Sequence, residues 1–270
     1  EQLLAGSVDG TFATHGCTPA YCTILSIRGE VLHNHAHDQV VQNGDIVLLD
    51  AGAEGASGYC SDVTRCWPVS GKFDAAGAEI YDIVLQAELA AIEAVRPGVR
   101  YRDLHMTSAR VIADGLAAMG ILRGSVDGLV ESGAHALFFP HGVGHLIGLD
   151  VHDMEGFGDR VHYAPGRERS TQFGTCNLRL DVDTAPGMTF TIEPGIYFVP
   201  AILHNDEFRQ RFGDQVDFDR CEQFLSANGG RGFGGIRIED DILVTDDGHE
   251  NLTAAIPKER AEVEALVGTA

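Results

Sequence analysis

Two stretches of the chain, far apart, carry the same arrangement of acids and glycines. Asn43-Gly44 opens an apolar run that ends at Asp50, with Gly52 two residues on; Pro186-Gly187 opens a run that ends at Glu193, with Gly195 two residues on. Their neighbours match as well, since Gly58-x3-Asp62-x8-Gly71 is echoed by Gly235-x3-Glu239-x8-Gly248. A turn dipeptide followed by a short apolar run launches a β-strand. The pattern therefore reads as an internal duplication in which each half supplies a two-stranded unit with one acid per strand. The alternative is a pair of unrelated edge hairpins with solvent-facing acids. Against it, Ile46 and Leu48 share the face of Asp50 by period-two alternation. An acid on a buried face needs compensation, and a metal ion is the strongest available.

The segment FFPHGVGHLIGLDVHD, Phe138 to Asp153, holds His141, His145 and His152. His141 and His145 have the spacing of a zinc-peptidase helix, but Gly142 and Gly144 disfavour helix and no Glu follows His141. Imidazole on an irregular, glycine-lined segment can approach a metal or a substrate closely. Together the pieces give Asp50, Asp62, His145, Glu193 and Glu239. Four carboxylates and one nitrogen suit Mn²⁺ or Co²⁺ better than a structural zinc, and their charge matches two divalent ions. Two ions ~3.5–4 Å apart would activate a water and polarise a carbonyl, which is hydrolytic chemistry.

The elements that must position these groups follow from local pattern. Strands are expected at 45–50, 56–66, 188–198 and 235–246. Asp74 can cap a helix carrying Ile80, Val84, Ala87, Ala91 and Val95, stopped by Pro97-Gly98, and a second helix spans about 103–119. A short helix, about 258–266, closes the chain. The fold class is α+β, with helices backing a curved, mostly antiparallel sheet. Stretches 152–185 and 200–234 are long, Gly-rich and read as irregular walls of a pocket.

The chain has 270 residues, 44% of them apolar, enough for one domain with a sizeable core. Forty acids against nineteen bases leave a formal charge of −21, which argues against nucleic acid as a partner. No apolar run approaches the ~20 residues of a membrane span. Six cysteines without a Cys-x-x-Cys pair fit a reducing cytoplasm better than a disulfide scaffold.

The five acid and imidazole residues, in this order and inside LLDAG, SDVTR, HGVGHLIGLDVHD, TIEPGIYF and GIRIEDDILVT, resemble the pita-bread metallopeptidases. The resemblance is closest to the Xaa-Pro dipeptidases, or prolidases, and runs from about Tyr21 to Leu266. It implies that Asp62 and Glu239 bridge two metal ions, that Asp50 completes one site, and that His145 with Glu193 completes the other. Glu193 would also be the general base, and His152 would steady the scissile carbonyl. His33 and His141 resemble residues lining the proline side of the pocket. Arg237 resembles a substrate-pocket arginine that orients the carboxylates. Arg179, fourteen residues before Glu193, matches an arginine that grips the C-terminal carboxylate of a dipeptide, with Arg167 and Arg169 as substitutes. Tyr21 resembles a tyrosine near the attacking water.

By the same resemblance the chain is one catalytic domain lacking the usual N-terminal domain, the substrate is a dipeptide ending in proline, and the enzyme is a homodimer. An aminopeptidase P, cutting the same bond in longer peptides, is the competing activity. Catalytically dead pita-bread modules typically lose metal ligands, whereas all five are present here.

Overall fold

The computed structural model describes residues 1–267. Five strands precede the first long interior helix: β1 (Thr18–Pro19), β2 (Ile24–Ser26), β3 (Ile46–Ala51), β4 (Ala53–Glu54) and β5 (Val63–Pro68). The order β2-β3-β5 is antiparallel throughout, with Asp50 opposite both Ile24 and Thr64. β5 starts later than the expected 56–66, because the turn at Gly55–Gly58 takes up the intervening residues: Gly58 has φ +80° and donates to the Gly55 carbonyl at 2.9 Å.

The second half mirrors this plan with one change. Its strands are β6 (Thr189–Ile192), β7 (Gly195–Tyr197), β8 (Gly235–Arg237), β9 (Asp240–Val244) and β10 (His249–Asn251). Each of the two expected long strands is broken in two. Ladder β6–β9 ends at Ile192 opposite Asp240, and ladder β7–β8 begins at Gly195 opposite Arg237, so Glu193 and Glu239 lie in the gap. Pro194 has no N–H to give a ladder, which accounts for the interruption. The expected antiparallel arrangement is present as a set of two- and three-stranded antiparallel sheets. The halves meet where Glu239 N–H donates to the Thr64 carbonyl at 3.2 Å.

Helices α2 (Ala75–Glu93) and α3 (Tyr101–Ala118) follow the sequence signals closely, and the structure adds α1 (Gln2–Thr14) and α4 (Val126–Ser132). Asp74 caps α2, its Oδ1 accepting from Gly77 N–H at 2.7 Å. Ile80, Val84, Ala87 and Ala91 of α2 and Leu104, Ile112 and Leu116 of α3 are fully buried. Gly115, an unfavourable residue inside a helix, marks where α2 and α3 touch: a Cβ there would sit 2.6 Å from Ile83.

Stretch 200–234 is not irregular. It holds helices Pro200–Leu203, Asp206–Phe212 and Phe218–Leu225, the last two capped by Asn205 and Asp217. Their apolar residues dock on the core, with Phe224 stacked on Phe198 at 4.1 Å. Stretch 152–185 contains only short turns such as Glu155–Phe157 and Asp159–His162. The closing helix is Arg260–Val267, because Lys258 is held outside it by Glu88 and Asp240, each at 2.6 Å. Among the described residues no helix is long and apolar enough to cross a membrane. All six cysteines are free.

Candidate active site

The histidine segment runs beside β6 as an extra edge. Thr191 N–H donates to the His145 carbonyl at 2.9 Å and Glu193 N–H to that of Val143 at 2.7 Å. Glycine permits the approach, since a Cβ at Gly144 would lie 2.1 Å from the Thr191 carbonyl oxygen. His145 Nδ1 is 3.0 Å from the Leu146 carbonyl, so the tautomer that satisfies this acceptor turns Nε2 toward the acids, 3.3 Å from Asp62 and 3.6 Å from Glu193.

Asp50, Asp62, His145, Glu193 and Glu239 converge on a cavity of about 870 Å³. One ligand atom each of Asp62, His145 and Glu239 lies within 4.8 Å of the other two, and all three residues are buried. Tyr21 joins the remaining first-half acid to this group, its hydroxyl reaching both Asp50 and Asp62. Thr64 Oγ1–H donates to Glu239 Oε2 at 2.6 Å, and Thr191 Oγ1–H to Glu193 Oε1 at 3.4 Å. Asp241 lies behind Asp62, its Oδ2 accepting the Asp62 N–H at 3.1 Å.

This cluster is short of positive charge. Burial drives the Glu239 carboxyl well above its ordinary range, and the charges of Asp62 and Glu193 add to the shift. Burial raises Glu193 too, and pushes Asp50 to about 7 against the pull of Arg237. Burial also works to raise Asp62, but the hydrogen bond and charge of His145 outweigh it and leave it lowered. His145 goes the other way, to about 9, because Asp62 and Glu193 overcome its desolvation. One phenol proton on Tyr21 cannot serve two ionised carboxylates, so the arrangement calls for protons or cations. Oxygen donors with one imidazole, buried and electron-rich, fit hard divalent ions.

The other expected residues also border the cavity. His141 gives Nδ1–H to the Gly142 carbonyl at 2.7 Å and takes the Tyr197 hydroxyl on Nε2 at 2.9 Å. Both nitrogens are engaged, and burial followed by Arg237 lowers its pKa to about 3, so it is a neutral wall. His33 is lowered by burial, Arg237 and Arg179. His152 packs edge-on against His145 at 4.5 Å and falls to about 4, through burial and then His145 and Arg179.

Arg237, expected among the substrate-binding groups, turns all three guanidinium nitrogens onto the protein: Nη2 to Asp50 at 2.5 Å, Nε to Thr64 at 3.0 Å and Nη1 to Tyr197 at 3.1 Å. It holds Asp50, in keeping with the expectation that it orients the carboxylates. Arg179 pairs with Glu155 alone among the described residues, at 2.6 Å. The substitutes are committed elsewhere, Arg169 to Asp159 and two carbonyls, Arg167 to Asp181 and Asp183.

Sequence reasoning missed Thr64, Thr191, Tyr197, Asp241 and Glu155. The two threonines carry a signal, standing two residues from Asp62 and Glu193, the period of one strand face. Tyr197 and Glu155 carry none.

The model of metallopeptidase family M24 matches residues 1–246, and the chain belongs to that family; its fold is the pita-bread fold. It is 41% identical over 246 residues to Xaa-Pro dipeptidase of Homo sapiens, covering 88% of this chain and 46% of that protein. It is 38% identical over 270 residues to Xaa-Pro aminopeptidase of Escherichia coli strain K12, covering 99% and 52%. Aminopeptidase P from E. coli with the inhibitor Pro-Leu superposes at a TM-score of 0.78 with 36% identity, over 99% of this chain and 52% of that one. The zinc-substituted form of that enzyme with product gives 0.77 at the same identity and coverage. The chain spans about half the length of the curated relatives it matches.

Proposed function

We propose that the chain hydrolyses the peptide bond before proline in Xaa-Pro dipeptides, using two divalent ions, Mn²⁺ foremost and Co²⁺ second. In this reading Asp62 and Glu239 would be shared between the ions, Asp50 would complete one site, and His145 with Glu193 would complete the other. When bound, the ions would polarise the scissile carbonyl and lower the pKa of the attacking water. Glu193 would accept the water's proton, and the Thr191 hydroxyl steadies the carboxylate that does so. His152 offers a ring N–H to the carbonyl oxygen as charge develops on it. Tyr21 and Arg237 keep Asp50 oriented whether or not substrate is present. The chain acts as a homodimer in the cytoplasm, a proposal resting on the family resemblance and the unpaired thiols.

The observation that carries the dipeptide reading is Arg179 at the cavity wall. A guanidinium clamp there selects a substrate that ends directly after proline, because a longer peptide has no carboxylate at that place. Metal-loaded protein is expected to cleave Ala-Pro, and Arg179→Ala should weaken its binding by about 2–4 kcal/mol. An unchanged KM for Ala-Pro would contradict the assignment. The second reading, aminopeptidase P, is favoured by the superposition of 99% of this chain on about half of that enzyme and by the partner Arg179 already has. Cleavage of Ala-Pro-Ala but not Ala-Pro would establish it.

A further inference from the structure

Glu155 is an acid at the active-site rim that neither the ligand set nor the proposed chemistry uses. Its Oε1 lies 2.6 Å from Arg179 Nη1, and its Oε2 lies 3.5 Å from His152 Nδ1. We infer that Glu155 is a built-in stand-in for the substrate carboxylate: it neutralises Arg179 in the resting cavity and thereby sets the preference between peptides that end at proline and peptides that continue. The inference rests on the Xaa-Pro reading above.

Three features support it. The pair is exchangeable, because the Arg179 and Glu155 side chains are 31% and 36% exposed, and ion pairs so open to water hold weakly. The backbone presents the acid deliberately: Met154, immediately before it, sits at φ +62°, ψ 3°, a left-handed conformation unfavourable for a non-glycine residue. Such conformations persist where surroundings over-determine them, and they cluster at ligand clamps. Finally, an arriving carboxylate meets no other uncommitted arginine at the cavity wall, since Arg169 is already on Asp159 at 2.6 Å and Arg237 on Asp50 at 2.5 Å. A dipeptide must therefore share or displace Glu155, against like-charge repulsion, while a peptide that continues past proline meets no such competition.

Glu155 is thus a positioning and selecting residue, and its effect is separable from any shared role through His152. The test compares Mn²⁺-loaded protein on Ala-Pro and on Ala-Pro amide, which differ only in the carboxylate. Changes carried by His152 reach both substrates and cancel in the ratio of their kcat/KM values. In Glu155→Gln that ratio should rise by about 5–10-fold, chiefly through a lower KM for Ala-Pro, because an uncharged amide releases Arg179 and no longer repels the substrate. Glu155→Asp, which keeps the charge but shortens the reach, should give a smaller rise. Calorimetry with L-proline against prolinamide should show the same selective gain in affinity. An unchanged or lowered ratio in Glu155→Gln overturns the inference and leaves the Xaa-Pro reading standing. Failure of the parent protein to cleave either substrate overturns the reading, and the inference with it.

Discussion

The two acid-bearing hairpins begin from one sequence pattern and end as different structures. In the first, β3 passes through Asp50 unbroken, and the ladder opposite Thr64 fixes the acid's backbone. In the second, Glu193 and Glu239 occupy a gap between two ladders, opened by Pro194. Asp50 in its ladder is held by Tyr21 and by Arg237 of the other half, whereas the acids in the gap lean on threonines, Thr191 and, from the other half, Thr64. Arginines complete the exchange. Arg237 of the second half holds Asp50 of the first, while Arg65 of the first donates to Asp240 Oδ1 and to the Glu239 carbonyl, each at 2.7 Å. Neither half is finished without the other.

The largest test of this asymmetry is catalytic. Glu193→Gln removes ligand and base together from the broken hairpin and should lower kcat for Ala-Pro by about 10³-fold or more. Asp50→Asn, in the continuous hairpin, leaves the base in place and should lose visibly less; equal losses in steady-state assays with Mn²⁺ would remove the distinction between the halves. Next in size is the crossing arginine. Arg237→Leu leaves the buried Asp50 without its partner and should cost about 3–5 kcal/mol in urea unfolding of metal-free protein. A loss below 1 kcal/mol would mean that the Arg237–Asp50 pair contributes little to joining the halves.

The smallest effect concerns pH. Asp50 and Asp241, one from each half, are raised by burial from 3.8 to about 7. An acid whose pKa rises on folding adds stability in full below its unfolded value and loses it as pH climbs through the folded one. His141 and His152, lowered on folding from 6.5, act in the opposite sense but mainly below 6.5, while His145, raised to about 9, adds to the fall above it. Between pH 6.5 and 8 metal-free protein should therefore lose about 1 kcal/mol for each of the two acids. The melting temperature should fall over that window, and added Mn²⁺ should flatten the fall. A flat profile without metal would contradict the charge deficit assigned to the cluster.

Much of this was legible in the sequence because it depended on spacing. The duplicated glycine and acid intervals marked both hairpins, and the apolar periodicity between Asp74 and Pro97 and over about 103–119 marked α2 and α3. The gap in the second half was written as Pro194, yet its effect depends on which neighbour a strand pairs with, and that is a tertiary fact. Segment 200–234 hid its helices because they are four to eight residues long, too short for a 3.6-residue repeat to emerge from Gly, Asp and Asn. Arg237 carried the correct strand position, but a single arginine does not say whether its donors face substrate or protein. Glu155 was invisible for a related reason: its meaning comes from Arg179, twenty-four positions away and joined to it only by the fold.

The exchange between halves also places the site in time. Thr64 meets Glu239 across 175 positions and Asp50 meets Arg237 across 187. Contacts so distant along the chain close late, after local helices and hairpins have formed. On the ribosome, Asp50 and Asp62 emerge long before their partners and remain hydrated until the last strands are made. The reactive centre is accordingly the final thing this chain acquires, and a product terminated before β8 would carry three of the four acids but lack Glu239 and the Arg237 that holds Asp50.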